Sequence, residues 1–390
     1  GLRPEAAREA RAVAKAARAL GLEAAVLRWE GAKPATGVQA AARIARYDLM
    51  AAHSHAHGIG AIVTAHHLED QAETLVMRLA RGSGVDGLSG IAGRIAWAGI
   101  PVLRPLLTVP RARLRAMLEA QGLSWIEDPS NEDRRFERVR VRAALKQLET
   151  LGITGEALAR SARRMARARE ALDRATESFM ATHASVSPAG YCTIDRGALR
   201  EAAEEIALRA LARVLLGVGG GASRIASARL EALAAALRAG EPAVRTLGGC
   251  RIEATHDRVV VTRESGRAGL AELRIRPGER ALWDRRFSIG LSETARGPVT
   301  VRALGRKGLG AVRARCGRAV SLPGQAAAGL AAFWRRGEVI AVPALGFAAE
   351  GTSRESGCFH ADFVALGASQ TIKAIEAKAS PRDGHEGMNS

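Results

Sequence analysis

The chain has no run of 18 or more apolar residues, so no segment reads as a membrane-spanning helix. Its first stretch, GLRPEAAREARAVAKAARAL, lacks the apolar core of a signal peptide. Cysteine is scarce. Cys192, Cys250, Cys316 and Cys358 are far apart and make no CxxC pair. That spacing argues against a disulfide framework and suggests reduced thiols in a cytoplasmic protein. There is no H-E-x-x-H string, no zinc-type ligand spacing and no internal repeat.

What is present is a soluble-type composition, 47% hydrophobic and 25% charged, over 390 residues. That length suffices for two or three domains with real cores. The net charge is +18, from 58 Lys+Arg against 40 Asp+Glu. Such a surplus predicts an anionic partner, with nucleic acid the first candidate.

Periodicity organises the front of the chain. Residues 4–19 read as a helix with Pro4 in its first turn. Residues 23–29, EAAVLRW, read as a short strand, and a helix follows from Val38 to about Gly58. Residues 59–65, IGAIVTA, read as a buried strand that feeds a further helix. Alternating strand and helix predict a parallel α/β sheet, here one that begins on a helix. Further helices are expected at 111–121, 155–182, 197–216 and 223–239, and short β-rich runs at 244–264 and beyond Pro277. The polar tail from about residue 368 reads as disordered.

The helix after the second strand holds TAHHLEDQAETLVMRLARGSG, residues 64–84. In an open parallel sheet, ligands sit beyond the carboxyl ends of strands, which is where residues 65–73 fall. Leu68, Ala72, Leu75, Val76 and Leu79 form an apolar stripe. His66, Asp70, Glu73 and Met77 lie on another side, with Asp70 and Glu73 one turn apart. Three readings stay open from these residues alone. Glu69, Asp70 and Glu73 complement the helix dipole; or His66, His67, Asp70 and Glu73 bind a metal; or paired carboxylates hold and deprotonate a cationic substrate.

Four stretches occur in order: AARIARYDLM, HHLEDQAET with its RGSG, the long RPLL…WIEDPSNEDRRFERVRVR segment, and PALGF. This order resembles the tRNA(Ile)-lysidine synthetase family of PP-loop ATP pyrophosphatases over nearly the whole chain. The resemblance implies an α/β fold: an incomplete Rossmann-like, adenine nucleotide α-hydrolase-like parallel-sheet domain, then a helical domain, then a small α+β domain. It implies ATP-dependent ligation of L-lysine to C2 of the wobble cytidine of a CAU-anticodon tRNA(Ile). ATP and Mg2+ are the implied cofactors, and no structural metal site is expected. The family is compatible with a monomer or a homodimer.

Site roles carry over position by position. Asp70 and Glu73 match acids placed around lysine, and Arg138 an arginine near the same centre. Arg43 and Arg46, beside Tyr47, match arginines facing nucleotide phosphates, and His67 a nucleotide contact or carboxylate partner. Arg160, Arg163, Arg164 and Arg167 of the arginine-rich helix are expected to contact tRNA phosphates, as are Arg302, Arg306, Lys307 and Arg318. Such a grip predicts an affinity that falls steeply with salt. Residues 128–133 read as a turn and Trp125 as core.

The implied domains are 1–150, catalytic; 151–265, mainly helical and tRNA-binding; 270–366, small and tRNA-binding; and 367–390, a disordered tail. Glu69 and Val139 depart from the family pattern, which has Asp and usually Asn there. No S-G-G-x-D-S pyrophosphate loop occurs either, and GVGGGASR at 217–224 reads as a linker. The expectation is therefore an N-terminally truncated chain that does not adenylate tRNA by itself. The alternatives are another adenylating tRNA enzyme of the thiolase type, and a non-catalytic basic RNA-binding fragment. A thiolase usually wants cysteines near its site, and none precedes Cys192.

Overall fold

The computed structural model describes all residues except 1–5, 35, 126–132, 134, 222–224, 241, 267–268, 317–321, 350–356 and 365–390. Residues 128–132 of the turn expected at 128–133, Arg318 and the tail from 368 lie outside the described residues. The chain divides into two compact units, 1–171 and 172–390.

The first unit opens with α1 (Ala6–Ala19) and α2 (Val38–Ala56), then β1 (Ile62–Val63), α3 (Leu68–Leu79) and α4 (Val85–Leu88). A hairpin of β2 (Arg94–Trp97) and β3 (Ile100–Leu103) leads to α5 (Arg111–Ala120), α6 (Glu137–Glu149) and the start of α7 (Gly155–His183). The sheet order is β1-β3-β2. Strand β1 runs parallel to β3, with Ile62 opposite Val102, and β2 pairs antiparallel to β3. The two-residue turn Ala98-Gly99 has positive φ at both positions, as the twist of a tight hairpin demands. Ile62, Ile100 and Val102 pack with Tyr47 and Ala51 of α2 into the core.

Two sequence expectations change here. Residues 23–29 form no strand, and most of them are exposed. The predicted strand at 59–65 contracts to the two residues of β1. A strand is stabilised by a neighbour's backbone, and an apolar run alone does not provide one. The sheet is also mixed, since β2 joins it antiparallel. Trp125 is not core: it is 38% exposed, and the Arg115 guanidinium lies 5.3 Å from its ring.

In the second unit, β4 (Ala184–Ser187), β5 (Tyr191–Asp195), α8 (Arg196–Glu201), α9 (Glu204–Val218) and α10 (Ser227–Arg238) precede β6 (Ala243–Leu247), β7 (Cys250–Ala254) and β8 (Arg258–Arg263). The region read as mainly helical thus also carries a five-stranded antiparallel sheet, β4-β5-β8-β7-β6. Leu211, Val214 and Leu215 of α9 pack against Ile194, Ile252 and Val261 of that sheet. After it come β9 (Leu273–Ile275), β10 (Arg280–Trp283), β11 (Phe287–Leu291), β12 (Val299–Ala303), α11 (Gly305–Cys316) and α12 (Gly324–Ala328). The last elements are β13 (Ala331–Arg335), β14 (Glu338–Val342), β15 (Phe347–Ala348) and β16 (Phe359–Phe363). These strands make two sheets, β10-β11-β16 and β15-β14-β13-β12-β9, around Trp283, Phe287 and Phe333. No described helix is long and apolar enough to cross a membrane.

Candidate active site

The segment between β1 and α3 is built by backbone. The Thr64 amide donates to Leu103 O, which extends the β1–β3 register, and Leu68 N donates to Val109 O. His67 caps α3: its own N–H donates to Asp70 Oδ2 at 2.9 Å, in a reciprocal capping box. The His67 Nδ1 lies 2.8 Å from Glu69 Oε2 but is not aligned with it as a hydrogen bond. His67 is therefore held against Glu69 and Asp70 at the helix entrance.

His66 feels charges drawn from four places in the chain. Its Nδ1 is 2.9 Å from the Thr64 hydroxyl. Partial burial, the largest effect, lowers its pKa. Asp70 raises it, whereas Arg104, Arg43 and Arg138 lower it further. The net direction is downward, so His66 is neutral near pH 7. Arg43 stacks on Tyr47 at 5.3 Å, and the Tyr47 hydroxyl accepts from Arg104 Nη2 at 3.4 Å. Three of the residues expected from sequence, Asp70, Arg43 and Arg138, thus act on one imidazole. Arg46 is exposed on α2.

Glu73 goes elsewhere. It is 1% exposed, and its Oε1 accepts from Arg142 Nε of α6 at 2.5 Å. Other residues of the motif are also braces. The Glu69 carboxylate accepts the Arg111 N–H at the start of α5, at 3.0 and 3.1 Å. The Gln71 carboxamide both donates to Ile91 O and accepts from Ile91 N. Arg78 donates to the carbonyls of Gly87 and Gly90. Of the apolar stripe, Leu68, Ala72 and Leu75 are buried, whereas Leu79 is exposed.

Sequence reasoning missed Arg104 and the central place of His66. Arg104 follows β3 directly, so the strand-end rule that singled out residues 65–73 could have found it. On α7, Arg160, Arg163, Arg164 and Arg167 are all exposed. In the second unit, Arg306 and Lys307 are exposed on α11, while Arg302 pairs with Glu272 and lies 4.0 Å from the Trp334 ring.

Three arginines around a neutral histidine can hold a polyanion, and one carboxylate beside them can hold a cation. Among the described residues, no three His, Cys, Asp or Glu side chains gather as a metal cage.

The PP-loop domain family matches residues 1–149. A tRNA(Ile)-lysidine synthase of Methylobacterium nodulans is 45% identical over 235 residues, 60% of this chain and 68% of that protein. The protein of that name from Rhodopseudomonas palustris is 43% identical over 281 residues, 69% of this chain and 81% of the relative. The one from Ruegeria pomeroyi is 40% identical over 317 residues, covering 79% and 72%. The chain belongs to the tRNA(Ile)-lysidine synthase family, as an ATP-using enzyme built on a PP-loop domain.

Proposed function

We propose that the chain serves the ATP-dependent ligation of L-lysine to C2 of the wobble cytidine in a CAU-anticodon tRNA(Ile). The C2 oxygen attacks the α-phosphorus of ATP and pyrophosphate leaves. The lysine amine then attacks C2, the C2–oxygen bond breaks, AMP carries that oxygen away, and the amine loses a proton. The observation that carries this reading is the convergence of Asp70, Arg43, Arg104 and Arg138 on His66.

In this reading Arg43 and Arg138 hold the phosphate charge of ATP and of the leaving AMP. Asp70 holds the lysine ammonium and favours its approach. His66, neutral near pH 7, is a hydrogen-bond partner and proton acceptor rather than a cation. Glu73 keeps its sequence-based assignment near lysine only as a residue that positions α3, through Arg142. Mg2+ enters as the counter-ion of the triphosphate, since a cation held mainly by phosphates and one carboxylate needs no protein cage. The exposed arginines of α7 contact tRNA phosphates. The buried free thiols Cys192, Cys250 and Cys358 suit a cytoplasmic setting.

Filter binding tests this reading on the 390-residue chain with ATP and Mg2+ present. A tRNA(Ile) transcript with the CAU anticodon should bind more tightly than one with GAU. Labelled lysine retained on the complex should be lost in Asp70→Asn while RNA affinity stays unchanged. Equal affinity for both transcripts, or lysine retention indifferent to Asp70→Asn, overturns it.

A further inference from the structure

A cavity of about 440 Å³ opens beyond the carboxyl end of β3, the strand parallel to β1. Its walls come from α3, the segment after α4, the β2–β3 hairpin and α7. Four arginines line it: Arg94, Arg104, Arg163 and Arg169. The remaining lining residues include neither a carboxylate nor an aromatic ring. This composition selects against an ammonium group, which needs an acid, and against a stacked base, which needs an aromatic face. It selects for an anion.

Arg104 makes the cavity a built site rather than a chance cluster. It is 5% exposed, and its Nη1 donates to Ala92 O at 2.8 Å. Its Nε is buried and has no hydrogen-bond partner among the described residues. A buried guanidinium donor left unpaired costs free energy unless a ligand completes it. On the α7 wall, Arg169 is oriented by its Nη1, which donates to Ser89 Oγ at 3.0 Å. Arg94 and Arg163 are exposed at the rim.

We propose that this cavity binds a backbone phosphate of the RNA substrate, next to the His66 centre. The proposal rests on the RNA reading given above. Two observations favour a polymer phosphate over a free nucleotide. Arg160, Arg163, Arg164 and Arg167 lie at i, i+3, i+4 and i+7 of α7, so Arg163 is one member of a cationic stripe that continues past the cavity. Arg104 also reaches Tyr47 and acts on His66, which links the cavity to the reaction centre. A phosphate held by Arg94, Arg104 and Arg169 would fix the RNA strand beside the reacting base.

The test measures binding of a CAU anticodon stem-loop RNA, and separately of ATP, to the full chain across a salt series. The double variant Arg94→Gln/Arg163→Gln removes only exposed side chains, and Arg169→Gln is made separately. Circular dichroism checks that each variant folds. The double variant is expected to weaken RNA binding about tenfold and to lower the slope of log affinity against log salt by about one. Arg169→Gln should weaken RNA binding in the same direction, with ATP affinity unchanged. The charge-matched surface control Arg113→Gln should stay within about twofold of the parent. Loss of ATP affinity with RNA affinity intact would assign the cavity to a nucleotide phosphate and overturn the proposal. So would RNA affinity unchanged in the double variant, or lowered equally by Arg113→Gln. If the parent chain binds no RNA, the functional reading falls with it; if the parent binds and the variants match it, only this proposal falls.

Discussion

Glu73 of α3 and Arg142 of α6 form an ion pair at 2.5 Å whose acid is 1% exposed while the Arg142 side chain is 32% exposed. The asymmetry predicts unequal mutational effects. Arg142→Met strands a buried carboxylate, which costs about 3–5 kcal/mol. Glu73→Gln leaves a guanidinium that can still reach water, so its cost should be smaller, about 1–2 kcal/mol. Urea unfolding of both variants measures the difference. Glu73→Gln at parental stability but with weakened lysine binding would place Glu73 at the ligand instead.

His66 makes the stability of the first unit sensitive to mild acid. Its pKa is lowered from the ordinary 6.5, first by burial and then by Arg104, Arg43 and Arg138. Between the folded and unfolded values, the unfolded state binds more protons, so stability rises with pH there. The contribution of His66 is complete above 6.5 and is lost as pH falls through the folded value. An NMR titration of the His66 ring should show a further downward move in Asp70→Asn, because Asp70 is the one neighbour that raises it. Arg138→Gln should move it upward. A midpoint indifferent to both would mean these charges do not reach His66.

The helices were legible because their pattern is local. α2, α3, α5 and α7 fall close to the spans expected from 3.6-residue periodicity. Residues 23–29 misled because a strand is a relation between segments, and no partner can be read from EAAVLRW. The same limit applies to the site. Asp70, Arg43 and Arg138 were singled out by motif, and the charges of all three bear on the His66 imidazole. Glu73 shares that motif, but it is buried and its partner Arg142 is 69 positions away. Arg104 and Arg169 meet at one cavity from different elements, a convergence that no single stretch displays.

Gly90 and Gly93 flank the same loop and should respond unequally to alanine. Gly90 has φ +69°, and a Cβ there would sit 2.3 Å from Gln71 Oε1 and 3.1 Å from Ala162 Cβ. The Gln71 carboxamide cannot withdraw without releasing both of its bonds to Ile91. Left-handed strain costs about 1–2 kcal/mol, and overpacking typically adds about 1–3 kcal/mol. Gly93 has open space around its missing Cβ and no positive φ. Thermal melting should therefore fall by several degrees in Gly90→Ala and hardly move in Gly93→Ala. Equal effects would contradict the geometry of the loop.

In the second unit, Asp284 joins two arginines that would otherwise repel each other. Its Oδ2 accepts from Arg263 Nε at 2.9 Å and from Arg286 Nε at 2.6 Å, and its Oδ1 from Arg263 Nη2 at 3.0 Å. Arg286 is 1% exposed, and burial acts to lower its pKa. Asp284 has φ +48°, a conformation that asparagine tolerates, so Asp284→Asn isolates the charge from backbone strain. That substitution leaves two neighbouring guanidiniums without their anion and should cost about 3–5 kcal/mol. Adding Arg286→Met removes the more deeply buried cation. The double variant should then be more stable than Asp284→Asn alone, a non-additive result that urea unfolding reads as a coupling energy. Strictly additive losses would mean that the three residues do not act as a unit.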